Sequence, residues 1–444
     1  VHVVGAGLAG LAAAVALAGG GWRVVLYESG LHAGGRCRSF HDPELGARID
    51  NGNHLVLSGN RTALSYIERI GALDTFERPE AAAIPFVDLA DGRRWEVRPS
   101  RGTMPWWMLR PSRRVPGTRT RDYLAALKLR RAGPGDTVAA ILDPRTTLFR
   151  RLWQPLVVAA LNTRAEQASA ALFARVLVET IGGGAAACRP LLAREGLSES
   201  LVDPALNYLS RRGGEIRFGR RLRALGFAAD RVVELRFDGG GITVPPGEEV
   251  VLAVPATIAG RIVPGLVVPD DYAPIVNAHF RCRVPVEAPP FLGIIGGTAE
   301  WVFRKRDILS VTVSAADHIV GRPSGELAGL LWRDVARALA LAPALAAGPT
   351  PPSRIVKERR ATFRATPAQL ARRPPTATSW NNLHLAGDYV DTGLPATIEG
   401  AIRSGIMAAD RITRRHDSEL APDGPLPPAR SLPTTTQDCE RALP

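Results

Sequence analysis

The chain is 444 residues long and 45% hydrophobic, too long for one simple core, so two domains or one discontinuous pair are expected. Lys and Arg number 56 against 43 Asp and Glu, a net charge of +13 that favours anionic lipid, phosphorylated ligands or nucleic acid, unless it only reflects an Ala-, Arg- and Gly-rich proteome. Four widely spaced cysteines, Cys37, Cys188, Cys282 and Cys439, form no C-x-x-C pair, which argues against a metal site or a disulfide scaffold and fits a reducing cytosol.

Residues 1–36 read VHVVGAGLAGLAAAVALAGGGWRVVLYESGLHAGGR. The apolar run 1–4 suits a buried parallel strand, and 11–18 is rich in helix-forming Ala and Leu. Between them stands a G-x-G-x-x-G turn at Gly5, Gly7 and Gly10. Residues 23–27 form a second strand candidate, and Glu28 stands at its carboxyl end. Eighteen positions separate Gly10 from Glu28, close to the roughly 20 of a dinucleotide-binding βαβ unit. Gly5 permits the tight turn, Gly7 lets a pyrophosphate approach the backbone, and Gly10 lets the helix pack on the sheet. The helix start, including Leu8, offers unpaired N–H groups to phosphates, and Glu28 can accept from a ribose. This motif alone leaves NAD and FAD open. The apolar start has no basic lead, unlike a signal peptide, and no other apolar run approaches the ~18 residues of a membrane span. A soluble or peripheral protein is expected.

Gly34-Gly35-Arg36 adds a second phosphate-facing turn with a guanidinium beside it. Asp50-Asn51-Gly52-Asn53-His54 follows, then an amphipathic helix over 61–70 and a hairpin over 85–98. Trp106-Trp107 runs into Arg110, Arg113, Arg114, Arg119 and Arg121, and 123–131 reads as a helix flanked by Arg and Lys. Paired Trp beside clustered Arg is the composition of a bilayer interface, here of an anionic membrane, and equally of a loop packed on its domain with solvated charges. No recognition module accompanies these charges, which argues against nucleic acid.

Helices are expected over 152–163, 168–178 and 201–211, and strands over 215–218, 232–237 and 250–254. Residues 263–283 change pattern without a clear element. Residues 291–295, 299–304 and 308–314 read as antiparallel strands of a second sheet, 327–342 as a helix and 355–357 as a strand. Leu385-Ala386-Gly387-Asp388 ends a strand at Gly-Asp, and a helix follows from about Thr397 through Ile412, offering the N–H of Ile398 or Glu399 to an electron-rich group. From 414 the composition turns polar and rich in Pro and Thr, a disordered tail.

The first two motifs resemble the FAD-binding start of the flavin amine oxidase and phytoene desaturase superfamily. With IDNGNHLVLSGN, LWQPLVVAALNT and LAGDYVDTGLPATIEGAIRSG added, the chain resembles the squalene-associated FAD-dependent desaturases, or hydroxysqualene dehydroxylases, of bacterial hopanoid synthesis. The resemblance implies an α/β fold, with a Rossmann-like FAD-binding domain interleaved with a mixed sheet-plus-helix substrate domain, as in amine oxidases. Residues 1–80, 190–262 and 376–415 would bind FAD, 81–189 and 263–375 would bind substrate, and 416–444 would be the tail. It implies non-covalent FAD held by Gly5, Gly7, Leu8, Gly10, Glu28, Gly35 and Arg36. Leu222 would contact adenine through its backbone, and Gly387, Asp388 and Ile398 would stand at the flavin end. The implied reaction is replacement of an allylic hydroxyl of hydroxysqualene by hydride.

Asn53, His54 and Asp391 flank the flavin-facing stretches and are the catalytic candidates, with His54 placed to protonate the leaving oxygen near neutral pH or only to bond backbone beside the flavin. A phytoene-type desaturase and a non-catalytic isoprenoid-binding partner that keeps FAD for structure are the alternatives. An apolar polyprenoid substrate, an anionic membrane surface and association with squalene-pathway synthases are the expected partners. The expected location is cytoplasmic, at the inner face of the cytoplasmic membrane. With no Met at position 1, the true N-terminus is expected a few residues upstream.

Overall fold

A computed structural model describes residues 1–283 and 288–420. Its first sheet is parallel, in the order Glu215–Arg217, Val25–Tyr27, His2–Val4, Val250–Leu252, Leu383–Leu385. Each of these strands is three residues long; His2–Val4, Val250–Leu252 and Leu383–Leu385 are buried on both faces, Val25–Tyr27 nearly so, and the edge strand Glu215–Arg217 is partly exposed. Successive side chains point to opposite faces, so Val3, Leu26 and Val251 pack on one side and Val4, Tyr27 and Leu252 on the other. The first side is covered by the helices Leu8–Gly19, Arg61–Arg69, Asp203–Arg211 and Ile398–Leu420. The other is covered by an antiparallel sheet of Leu222–Ala228, Arg231–Phe237 and Gly240–Thr243, and by the helix Ala256–Ile262.

The helix Leu8–Gly19 is apolar all round because it is enclosed all round. Its Ala and Gly surface lets the helix Ile398–Leu420 come close: a Cβ at Gly405 would collide with the Ala9 carbonyl and stand 2.9 Å from Ala13 N. That final helix continues to Leu420, past the boundary at 416 expected for the tail. The rest of the expected tail lies outside the described residues.

The second sheet has seven strands, in the order Ser353–Phe363, Tyr272–Arg281, Ile308–Val313, Trp301–Lys305, Phe291–Ile295, Ile84–Asp88, Arg94–Val97. All neighbours are antiparallel except Phe291–Ile295 with Ile84–Asp88. Alternation again sorts the core, with Phe86, Phe291 and Ile295 facing the helical segment 120–179 and Val87, Leu292 and Ile294 facing the helix Ser324–Ala338.

The strand Tyr272–Arg281 went unrecognised as an element, and the strand expected over 355–357 extends over eleven residues. Pairing between these two carries them through Pro- and Arg-rich composition, and their register shifts opposite Ala273 and Ile275, so that 359–361 bulge. Trp106 and Trp107 do not act as a pair. Trp106 is 64% exposed, whereas Trp107 is 2% exposed and packs edge-on against Tyr123 at 5.4 Å. The helix expected over 123–131 is a short α-turn, Thr120–Tyr123, followed by a 3₁₀ stretch, Leu124–Arg131.

Gly405→Ala should cost roughly 1–3 kcal/mol by forcing the two helices apart. A thermal melt of the variant should show a lower midpoint, and an unchanged midpoint would contradict the close crossing.

Candidate active site

The in-step register of the parallel strands brings five carboxyl ends to one line, and the residues that follow them line a cavity of about 840 Å³. Such crevices are where open α/β sheets bind ligands. The cavity runs from Glu28, Gly30 and Leu222 past Gly5, Gly7, Gly35 and Arg36 to Asn53, His54, Asp388 and Ile398.

At the first end Gly5 has φ +106, and a Cβ there would strike the Ala253 carbonyl. A Cβ at Gly10 would strike the Gly5 carbonyl, so Gly10 shapes the turn without lining the cavity. Gly7 differs from both: a Cβ there meets no atom within 4 Å and would point into open space. The turn is tied to Glu28, whose carboxylate accepts from Ala6 N at 2.9 Å and Gly30 N at 2.8 Å. A carboxylate has about four acceptor sites, so capacity for a ribose hydroxyl remains. Open space at Gly7 and the start of the helix Leu8–Gly19, which has no side-chain cap, fit a pyrophosphate.

Farther along, Arg36 is not free for phosphates alone. Its two terminal nitrogens donate to the two Asp388 carboxylate oxygens, each at 2.8 Å, and one also donates to the Ala361 carbonyl in the bulge at 2.5 Å. The nearby Asp388 charge raises the Arg36 pKa above its ordinary value, so the guanidinium stays charged. Two further groups, Ser404 and Arg373, hold the Asp388 turn. Gly387 N donates to Ser404 Oγ at 2.8 Å. Arg373, buried over the Phe363 ring, donates to the Val390 carbonyl at 2.5 Å and to the Tyr389 carbonyl at 3.3 Å. The helix Ile398–Leu420 starts at the cavity wall, and its Gly400 amide is capped by Thr397 Oγ1 at 3.1 Å. The amide of Ile398 precedes that cap and has no preceding turn to bond. The helix also docks through Glu399, whose carboxylate accepts from Thr62 N and Ala63 N at the start of the helix Arg61–Arg69.

Asp391 does not join the site. Its side chain is 61% exposed, accepts from Gly393 N at 3.1 Å and lies outside the cavity, because the turn pinned by Arg373 sends it outward. His54 lines the cavity, and burial pushes its imidazole down to about 4, against a smaller opposing effect of Asp50. At that value it is neutral near pH 7, which favours the second of its two expected roles, a hydrogen-bonding partner in the wall. Cys37, in the same wall, has its thiol pushed up to about 12 by burial, so it stays protonated and unreactive.

Asn53 does join the site, in company that sequence reasoning missed. Its Nδ2 donates to Thr312 Oγ1 at 3.0 Å, Thr312 Oγ1 donates to Asn277 Oδ1 at 2.9 Å, and Asn277 Nδ2 donates to the Asn51 carbonyl at 3.3 Å. Asn277 and Thr312 are register partners on neighbouring strands of the second sheet, so this chain joins the two halves of the cavity wall. The signal was present: Asn277 and His279 alternate with apolar residues in a strand otherwise buried. The cavity thus offers a dinucleotide cradle at one end and a neutral cluster of amides, hydroxyl and imidazole at the other.

Residues 8–413 match the family model described as flavin containing amine oxidoreductase. The chain is 44% identical to a hydroxysqualene dehydroxylase of Zymomonas mobilis over 92% of this chain and 98% of that one. It is 46% identical to one of Sinorhizobium fredii over 92% and 97%. In structure it is similar to the cyclohexylamine oxidase of Brevibacterium oxydans, with a TM-score of 0.69 and 15% identity, over 94% of this chain and 99% of that one.

Gly7→Ala should leave the melting temperature of the cofactor-free protein unchanged, since the added methyl touches nothing, yet weaken retention of the bound dinucleotide on gel filtration. A cofactor-free variant that melts early would contradict the open cradle. Acid stability gives a second check. A histidine held at about 4 when folded and near 6.5 when unfolded leaves the unfolded chain binding more protons between those values, so stability is full above 6.5 and falls as the pH drops toward 4. His54→Gln should therefore lose less melting temperature than the parent protein between pH 7 and 5. Equal losses would place the shift elsewhere.

Proposed function

Because the chain belongs to the flavin containing amine oxidoreductase family, we propose that it is a hydroxysqualene dehydroxylase, replacing the allylic hydroxyl of hydroxysqualene by hydride to give squalene. The chain is an oxidoreductase and its cofactor is FAD. What carries the reading is likeness along nearly the whole chain, across both sheets rather than the nucleotide cradle alone.

Gly7, Glu28 and the start of the helix Leu8–Gly19 would hold the adenosine diphosphate part of FAD, with Asp388, Arg36 and the Ile398 amide toward the flavin. When bound and reduced, FAD supplies the hydride. Asn53, Thr312 and Asn277 give the substrate hydroxyl hydrogen-bonding partners that carry no charge. As the carbon–oxygen bond lengthens, the oxygen takes the bonding pair, gains a proton drawn from solvent and leaves as water, so that one hydride and one proton are consumed for each alcohol. His54, neutral, can donate one hydrogen bond to that oxygen but cannot act as the acid near pH 7. A polar group already positioned needs no rearrangement when charge develops, which is the main help such a wall gives.

A polyprenoid of roughly 30 carbons gains well over 10 kcal/mol on leaving water, at ~0.8 kcal/mol per methylene. The substrate thus belongs to a membrane, and the proposed location is its cytoplasmic face, with the squalene product entering hopanoid synthesis. No helix among the described residues is long and apolar enough to cross a membrane.

Anaerobic mixing of the photoreduced, deuterium-labelled holoprotein with hydroxysqualene should reoxidise the flavin and place deuterium on the carbon framework of squalene. Bleaching of the oxidised flavin by squalene, with a more unsaturated product, would make the enzyme a desaturase instead. Unchanged flavin with either compound would leave only the binding-partner reading.

A further inference from the structure

Five of the ten large hydrophobic side chains that the described residues expose lie within one short segment: Met104, Trp106, Leu109, Leu124 and Leu127, each more than half exposed. They come from two turns fastened together. Trp107 is the buried anchor of the first, against Tyr123 of the second. Trp107 N donates to Ser100 Oγ at 2.9 Å, Thr120 Oγ1 donates to the Met108 carbonyl at 3.1 Å, and Val115 N donates to the Tyr123 hydroxyl at 2.9 Å. Leu124 and Leu127 are three apart on the 3₁₀ stretch Leu124–Arg131, where such positions eclipse, so both project from one edge while Leu129 turns inward. The exposed apolar tips are thus held out by a rigid base.

The charge around them is one-sided. Residues 101–131 hold nine basic side chains and a single acid, Asp122. Eight of the nine are exposed, and none makes an ion pair with a described residue. On either side of the segment the pattern differs: Arg98 pairs with Glu96, and Arg145 with Asp143.

We propose that this face is a docking surface for an anionic lipid bilayer, with Trp106, Met104, Leu109, Leu124 and Leu127 entering the acyl boundary and Arg110, Arg113, Lys128, Arg130 and Arg131 meeting the headgroups. Apolar tips framed by unpaired cations match the two layers of that surface. A second copy of the chain fits poorly, because a two-fold contact would face the same cations with themselves. Nucleic acid would use the cations but leave Met and Leu tips without a partner. The surface deepens the membrane-supplied reading of the enzyme, yet it stands on its own residues, and turnover measured in detergent tests the flavin site separately.

The experiment is cosedimentation of the FAD-loaded full chain with vesicles of phosphatidylcholine, with and without phosphatidylglycerol, at low and high salt. Binding should require phosphatidylglycerol and weaken with salt. Each of Lys128→Gln, Arg130→Gln and Arg131→Gln should weaken it about fivefold. Trp106, the one tryptophan among the large exposed hydrophobics, should be quenched by brominated lipid, and Trp106→Ser should remove that quenching. Leu124→Ser with Leu127→Ser should weaken binding while turnover of detergent-dispersed hydroxysqualene stays at the parent level. Four results would each overturn the proposal: no binding, binding indifferent to lipid charge and salt, variants that bind like the parent, or variants that only turn a dimer into monomers. Loss of turnover in detergent would tie these residues to the site and overturn it as well.

Discussion

Five parallel strands of three residues each are paired in step, with His2 beside both Val25 and Val250, Glu215 beside Val25 and Leu383 beside Val250. The main turns of the cradle are placed by that register. Gly5, Glu28, Ala253 and Gly387 each fall just beyond a carboxyl end, so one line of backbone turns gathers segments far apart in sequence. The strands are short because little length is needed when both faces are buried. Close fit then fixes the helix: the Gly5 turn leaves no room for a Cβ at Gly10, and Gly405 leaves none between the two long helices. A slip of one residue would turn Val3 toward the other face and carry Glu28 off the line.

The second sheet brings polar groups into apolar strands, and that is costly unless they are paired. Asn277 and Thr312 meet across two strands and His279 and Ser310 across the same pair, the latter at 2.8 Å. Losing one partner would strand a buried donor or acceptor at roughly 1–3 kcal/mol. The first pair reaches out through Asn53 to the other half of the cavity wall, so it also fixes how the two sheets meet at the site. The second pair has no role in the chemistry derived above.

What was legible in the sequence was what is local. Strand, glycine turn, helix, strand and Glu28 lie within 28 consecutive residues, and spacing alone assembles them. Arg36 and Asp388 were each legible as cofactor-facing, but not as partners, because 352 positions separate them. Asp388 and Asp391 are three apart, and both were expected at the flavin end, one as a cofactor contact and the other as a catalytic candidate. Only the buried Arg373, bonded to the carbonyls of Tyr389 and Val390, decides that one faces the cavity and the other faces water. Trp106 and Trp107 looked like a pair for the same reason, and Tyr123 separates them. Asn277 and Thr312 needed the register of two strands, which no single stretch of sequence contains.

The electrostatics of the far end bear on which leaving group it suits. A departing phosphate or diphosphate carries charge and calls for unpaired cations. The guanidinium of Arg36 is already spanned by Asp388, and Glu358 in the same wall adds a further carboxylate. Deeper in, Asn53, Asn277, Thr312 and His54 are all uncharged, His54 because burial keeps its proton off. Hydroxide is a poor leaving group in water, yet a neutral alcohol would enter such a wall at a lower desolvation cost than a charged group. A charged phosphate ester would surrender its hydration to a site that returns no charge. The same neutral groups strengthen as the oxygen gains charge, because a hydrogen bond to an ionised acceptor is roughly twice as strong as one to a neutral acceptor. In the proposed reaction the departing oxygen would meet this wall chiefly through the remaining N–H of Asn277, because Nδ2 of Asn53 already donates to Thr312 and Val311 and the Thr312 hydroxyl already donates to Asn277.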